Sequence, residues 1–117
     1  MTYEISKDFT FSAAHHLLGL AADHPCMRVH GHNYVVRLTF LEDTLDDHGF
    51  VIDYNDLDPF KQWIDEHLDH RDLNVTLHQP TAEHLASLLW SVARKLFEGY
   101  TMTVSVSETP KTWATYG

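Results

Sequence analysis

The chain has 117 residues, of which 44% are hydrophobic and 21% are charged, so it can bury the core of one domain. Eight basic residues stand against seventeen acidic ones, and this formal net charge of -9 argues against a nucleic-acid partner, which needs a basic surface. Its single cysteine excludes an internal disulfide, and no apolar run approaches the about 20 residues of a membrane span, so we expect one cytoplasmic domain over residues 1–117.

Two strands are expected in the first third of the chain. In residues 2–17, every second side chain from Phe9 to His15 falls on one face, and this alternation with aromatic residues is typical of a strand. Residues 19–27 contain Gly and Pro and are expected to form a loop. A second strand, rich in Val, Tyr and Thr, is predicted from about Val29 to Leu41.

Two helices are expected in the middle of the chain. The first lies within residues 53–70, where apolar residues recur at helical spacing and Asp56 or Asp58 can cap the start. The second begins at Thr81, a residue type that caps helices, and ends before Gly99. Both have one apolar face, so we expect both to pack on a sheet.

Two further strands are expected after the helices. Residues 101–108 alternate apolar and hydroxyl side chains, and residues 112–116 are predicted to be a short last strand after Pro110. The element order is therefore strand, strand, helix, helix, strand, strand. This order predicts an α+β fold, a four-stranded antiparallel sheet with two helices packed on one face.

Three histidines are candidates for a metal site. His30 and His32 are two residues apart on a predicted strand, so both side chains leave the same face, and Gly31 between them would permit close backbone approach. His15 is the natural third ligand, because its strand would lie beside theirs. Three imidazoles with an open fourth position are typical of catalytic zinc. A His-x-His pair on a strand is also compatible with an ordinary half-buried polar face.

Cys26 and the neighbouring pair Asp69 and His70 are candidates for proton transfer. Cys26 is either a buried small apolar residue or a thiolate whose pKa is lowered by a nearby cation and Arg28. Asp69 and His70 follow the first predicted helix, where a histidine can simply be stabilised by the helix C-terminus. They can face each other only if the helix ends there and the chain turns, and they would then form an acid–base unit.

Glu108 and Glu83 are candidate substrate-binding carboxylates. Glu108 lies at the end of a predicted strand, where glutamates are usually solvated, but an inward carboxylate can accept two parallel N–H bonds from an amino-pyrimidinone edge. Glu83 lies in the first turn of the second predicted helix, and the helix dipole alone can account for it.

Five segments resemble one known family in their order and spacing. They are KDFTFSAAH, CMRVHGH, LDHRDLN, PTAEH and SETPKTWATY. Together they resemble the 6-pyruvoyl-tetrahydropterin synthase superfamily over essentially the whole chain, and most closely its bacterial 6-carboxytetrahydropterin synthase branch in queuosine biosynthesis. Two positions depart from the family pattern: His84 stands where the family often has Asn, and His16 stands where the carboxy branch often has Arg.

The resemblance implies a role for each candidate residue. A Zn2+ ion would be held by the three histidines, His15, His30 and His32. Cys26 would be the base that moves a proton on the substrate side chain, and Asp69 and His70 would complete the proton relay. The pterin ring would be held by carboxylates, namely Glu108 with Glu83.

The resemblance also implies a reaction and an assembly. It implies a zinc lyase that converts 7,8-dihydroneopterin triphosphate to 6-carboxy-5,6,7,8-tetrahydropterin with release of triphosphate and acetaldehyde. A pyruvoyl product or a related dihydropterin side-chain cleavage is the alternative, and a non-catalytic zinc- and pterin-binding module is a third. The implied fold is the tunnelling fold, in which subunit sheets join into a barrel, commonly in homohexamers of two trimers.

Overall fold

The order of the secondary-structure elements is the predicted one. The structure is a computed structural model that describes residues 1–117. Its strands and α-helices are, in chain order, β1 (Tyr3–His15), β2 (His30–Glu42), α1 (Asp58–His67), α2 (Ala82–Leu96), β3 (Thr101–Ser107) and β4 (Ala114–Tyr116). Short 3-10 turns lie at Pro25–Met27, Tyr54–Leu57 and Leu73–Val75.

The four strands form one antiparallel sheet in the order β1-β2-β3-β4. The β1–β2 register is unbroken, from Tyr3 opposite Glu42 to His15 opposite His30. On β2, only residues Val35–Leu41 pair with strand β3. The first residues of β2 therefore extend past β3, and the histidines lie at this end of the long β1–β2 pair.

One hydrophobic core of 22 residues lies between the sheet and the helices. Alternate residues of the strands enter it, as period-two alternation predicts, and Phe60 of α1 and Leu89 of α2 are fully buried in the same cluster. Burying each such side chain stabilises the fold by about 1.5–3 kcal/mol. Both helices thus pack on one face, and the predicted fold class is confirmed.

The start of α1 differs from the prediction. A 3-10 turn at Tyr54–Leu57 precedes the helix, and the carboxylate of Asp53 caps this turn by accepting a hydrogen bond from the N–H of Asn55. The N-cap of α1 is Leu57, which makes no side-chain cap hydrogen bond. The expectation that Asp56 or Asp58 caps α1 is therefore wrong, because the cap belongs to the turn before it.

The start of α2 is as predicted. The hydroxyl of Thr81 accepts a hydrogen bond of 3.1 Å from the backbone N–H of His84, which satisfies one of the free donors of the first turn. Gly99 follows the helix with a φ of 89°, a left-handed conformation that glycine adopts without strain. No helix of the protein is both long and apolar enough to cross a membrane.

Candidate metal centre and active site

The three candidate ligands form one cluster at the end of the β1–β2 pair. His15 is on the inward face of β1 and only 1% exposed, and it lies opposite His30, with His32 two residues further along β2. The ligand atoms of the three side chains all lie within 4.8 Å of one another. The Nε2 atoms of His15 and His30 are 3.0 Å apart.

Backbone carbonyls fix the tautomers of two of these rings. Nδ1 of His15 is 2.7 Å from the carbonyl of Pro80, and Nδ1 of His30 is 2.7 Å from the carbonyl of Arg28. Because a carbonyl only accepts hydrogen bonds, each Nδ1 carries the proton. In the neutral form of each ring, Nε2 then presents a lone pair, and two lone pairs at this distance repel unless a cation or proton lies between them.

His32 completes the cluster with an unsatisfied nitrogen. Its Nε2 atom is buried and has no hydrogen-bond partner, and the nearest carboxylate oxygen, of Glu108, is 3.6 Å away. Burial lowers the pKa of His32, with Glu108 opposing this and the other two histidines adding to it, so the neutral ring that binds metals is favoured. A set of three converging imidazoles with one orphaned nitrogen fits a metal ion.

Gly31 does not have the predicted role. A Cβ atom at this position would meet only the carbonyl oxygen of Ala13, at an ordinary contact distance of 3.6 Å. The expected close backbone approach is therefore wrong. Gly31 leaves the outer face open but is not required by packing.

The sequence interpretation missed Tyr34, which lies behind the cluster. Its side chain is fully buried, its hydroxyl is 3.3 Å from Nδ1 of His15, and its ring stacks on Phe11 with centroids 4.7 Å apart. Burial raises the pKa of Tyr34, and the negative charge of Glu108 adds to this, so the phenol stays protonated. Its position two residues after His32, on the same face, could have identified it.

Asp69 and His70 do face each other. Helix α1 ends at His67, and His70 adopts a left-handed φ of 57°, which is uncommon for a residue with a side chain. Nδ1 of His70 lies 3.0 Å from a carboxylate oxygen of Asp69. His70 thus lies just beyond the last turn of α1, where the chain turns and brings its ring to Asp69.

Strand β1 holds this pair in place. The backbone N–H of Ser12 donates to the carboxylate of Asp69 at 2.9 Å, and the N–H of His70 donates to the carbonyl of Ser12 at 2.6 Å. The Ser12 hydrogen bond, followed by the one from His70, lowers the pKa of Asp69. The His70 side chain is 83% exposed and lines a cavity of about 570 Å3 together with His32 and Arg71. His70 therefore borders a cavity that also includes His32 and is open to a small molecule.

Cys26 is not part of the histidine cluster. It lies in the 3-10 turn Pro25–Met27 and is half-buried. Its backbone is anchored on both sides, because its N–H donates to Nδ1 of His24 at 3.1 Å and its carbonyl accepts from the N–H of Leu17 at 2.7 Å. The turn thus fixes the backbone that carries the thiol.

The two candidate carboxylates share one cavity. Glu108 follows β3 directly, since that strand ends at Ser107, and Glu83 lies in the first turn of α2. Both line a cavity of about 420 Å3 that also includes Thr112 and Trp113. Because Glu108 is also the carboxylate nearest to His32, this cavity lies next to the histidine cluster.

The fold and the site define a class of protein, a tunnelling-fold enzyme with a three-histidine cluster that could hold a metal ion. Residues 4–117 match the family model described as 6-pyruvoyl tetrahydropterin synthase, and the chain belongs to this family. The predicted resemblance, and with it the expectation of a lyase, is confirmed.

Several individual proteins are similar to this chain over most of its length. The chain is 30% identical to 6-carboxy-5,6,7,8-tetrahydropterin synthase of Bacillus subtilis (strain 168), with 98% of this chain and 85% of the relative covered. It is 32% identical to the protein of that name from Rickettsia felis, with 90% and 93% covered. The structure of Caenorhabditis elegans 6-pyruvoyl tetrahydropterin synthase superposes with a TM-score of 0.86 at 24% identity, over 99% and 95% of the two chains.

Proposed function

We propose that the protein is a zinc-dependent lyase that acts on 7,8-dihydroneopterin triphosphate. The products would be 6-carboxy-5,6,7,8-tetrahydropterin, triphosphate and acetaldehyde. The observation that carries this proposal is the convergence of His15, His30 and His32, whose ligand atoms all lie within 4.8 Å of one another. The names of the relatives that are 30–32% identical over most of the chain support the carboxy product.

His15, His30 and His32 would hold the zinc ion. Zinc bound there would supply Lewis acidity to the hydroxyl groups of the substrate side chain. The carbonyls of Pro80 and Arg28 hold the rings of His15 and His30 with Nε2 free, and such second-layer hydrogen bonds typically contribute about 10–100-fold to metal affinity.

Two groups of this chain would move the protons. Asp69 orients the ring of His70 through Nδ1, which leaves Nε2 of that ring free to take up or release a proton. Cys26, as a thiolate, would be the second group and would take a proton from the substrate side chain. A histidine held by a carboxylate stays in one tautomer, which suits it for this work.

Glu108 and Glu83 would bind the pterin ring. The carboxylate of Glu108 can accept two parallel N–H bonds from the amino-pyrimidinone edge of the pterin, which is a strong and selective contact. Its position 3.6 Å from His32 would place the substrate side chain near the metal. Glu83, on the same cavity, would add a second acceptor.

We further propose that the active protein is a homohexamer of two trimers. Strands β1 and β4 are the two edges of the sheet, and an open edge presents unpaired backbone groups. Joining the edges of neighbouring subunits into a closed barrel would satisfy these groups.

A pyruvoyl product is the second candidate, because the matching family model carries that name. Incubating purified protein with 7,8-dihydroneopterin triphosphate, and measuring zinc in the same sample, separates the candidates. Stoichiometric acetaldehyde supports the carboxy product, and a pyruvoyl side chain retained on the pterin supports the alternative. If zinc-loaded protein gives no turnover, both reactions are rejected and a non-catalytic binding module is left.

A further inference from the structure

Two amide side chains pair with the backbone immediately after β1. The side chain of Asn74 accepts a hydrogen bond from the N–H of His16 at 2.9 Å and donates one to the carbonyl of His16 at 3.0 Å. The side chain of Gln79 does the same with Leu18, at 2.8 and 3.0 Å. A carboxamide carries an acceptor and a donor side by side, so these two side chains replace a neighbouring strand.

The residue between them connects to the backbone of Cys26. Residues of opposite parity in an extended segment direct their backbone groups to opposite sides. Accordingly, the N–H of Leu17 points away from the amides and donates to the carbonyl of Cys26 at 2.7 Å. Residues 16–18 therefore join the two amide side chains on one side to the cysteine turn on the other.

One of the two amides, that of Gln79, is also connected to the histidine cluster. Gln79 precedes Pro80, whose carbonyl accepts the hydrogen bond from His15. The carbonyl of Gln79 in turn accepts from Nδ1 of His84 at 2.6 Å and from the N–H of Thr81 at 2.9 Å. His84, which departs from the family pattern, thus helps to fix Gln79 at the start of α2.

We infer that Asn74 and Gln79 are positioning residues that hold the Cys26 turn at a fixed place relative to the His15 end of β1. The catalytic consequence rests on the proposed function, in which the thiol and the metal act on one substrate. A displacement of about 1 Å at such a group can cost about 100-fold in rate. Neither amide needs to touch the substrate or the metal for this.

The test uses substitutions that keep size but remove hydrogen bonding. The variant is Asn74→Leu with Gln79→Met, and the matched control is Gln62→Met, at an exposed position on α1. Hydrogen exchange of the Leu17 amide is measured by NMR, together with zinc content, kcat and KM. Each lost hydrogen bond is expected to raise the opening equilibrium by about two- to tenfold, and Leu17 exchange should accelerate accordingly. We expect kcat to fall about 10–100-fold while zinc content and KM stay near wild type.

The outcomes separate this inference from the proposed reaction. Unchanged Leu17 exchange in the folded double variant overturns the inference, whether or not the wild type turns over substrate. Faster exchange with unchanged kcat in an active protein overturns the catalytic part. If the wild type has no activity, the reaction is rejected and faster exchange still supports the anchoring.

A milder variant covers the case in which the double variant does not fold. Gln79→Met alone removes the two hydrogen bonds to Leu18 and leaves those of Asn74, so Leu17 exchange should be faster and kcat lower than in wild type. Wild-type Leu17 exchange in folded Gln79→Met would contradict a role for these hydrogen bonds.

Discussion

His15, His30 and His32 belong to one cluster but differ in how they are held. His15 and His30 each donate from Nδ1 to a carbonyl, whereas Nε2 of His32 has no hydrogen-bond partner. A buried unpaired polar atom costs about 1–3 kcal/mol. Without a metal, the cluster therefore carries a cost at His32 that a bound cation would remove.

Substituting His32 tests this arrangement. His32→Ala is expected to lower zinc affinity by more than about 100-fold, because it removes a ligand rather than a supporting hydrogen bond. Zinc content after dialysis against graded chelator concentrations measures the effect. His48→Ala, at an exposed turn position, is the control and should keep wild-type zinc. Equal zinc content in both variants would reject His32 as a ligand.

Substituting Cys26 separates catalysis from binding. Since this thiol is not part of the histidine cluster, Cys26→Ala should keep full zinc content. If Cys26 is the base, kcat should fall by about 100- to 10,000-fold. Zinc analysis and steady-state kinetics on one preparation measure both. If the variant retains turnover, Cys26 is not the base and is instead a small apolar residue, the alternative that the sequence also allowed.

Asp69 predicts a pH dependence of stability. The hydrogen bond from Ser12 lowers the pKa of Asp69 below its ordinary value of 3.8, so the charged carboxylate stabilises the folded state above that pH. This contribution is lost as the pH falls below 3.8 and through the folded pKa. The stability advantage of wild type over Asp69→Asn should therefore be greatest near neutral pH and shrink below about pH 4. Urea unfolding at a series of pH values measures it.

A matched substitution gives the baseline for that comparison. Asp23→Asn removes an exposed carboxylate in the loop before β2. Its stability should follow the wild-type curve at every pH. A constant difference between wild type and Asp69→Asn from neutral pH to pH 3 would contradict the lowered pKa.

At the level of elements, periodicity predicted which segments form strands and helices but not where they end. Strand β1 ends at His15, not at Leu17, because the following residues pair with side-chain amides instead of a strand. The pairing of Asp69 with His70 needed a left-handed His70, a conformation that histidine adopts only occasionally and that no local pattern predicts. End positions depended on hydrogen bonds from distant residues, which a local pattern does not contain.

The sequence predicted the N-cap of α2 correctly, and the contribution of this cap to the free energy of unfolding can be measured. Thr81→Ala removes the acceptor for the N–H of His84 and should lower the free energy of unfolding by about 1 kcal/mol. Thr81→Ser keeps the hydroxyl and should stay within a few tenths of wild type, about 0.3 kcal/mol. Urea denaturation of the three proteins decides this. Equal loss in both variants would mean that the methyl group, not the cap, matters.

For the whole molecule, the sequence predicted the metal cluster better than the substrate cavity. The cluster follows from the pairing of two consecutive strands and from the alternation of side chains along them, and both can be inferred from the sequence pattern. The cavity shared by Glu83 and Glu108 brings the start of α2 beside the end of β3, and no spacing indicates this. The backbone of Cys26 is held by the N–H of Leu17, a contact that also needed the structure.

The free edge of β1 can be located residue by residue. Ser12 directs its N–H and C=O away from β2, to Asp69 and His70. Because the β1–β2 register has no break, the even-numbered residues before Ser12 direct their backbone groups the same way. Ser6 and Thr10 therefore present N–H groups at the sheet edge that another subunit could bind.

Proline at these two positions tests the proposed hexamer. Ser6→Pro with Thr10→Pro removes two edge N–H groups without removing a hydrogen bond to β2, so the subunit should fold but assemble at least about tenfold more weakly. Light scattering during gel filtration should find wild type at about 81 kDa, six times the chain mass of 13.5 kDa, and the variant at lower mass. Lys7→Pro, which blocks an N–H directed at β2, should instead lower the stability of the subunit itself. Wild-type mass for the double variant at all concentrations would exclude this edge from the subunit contact.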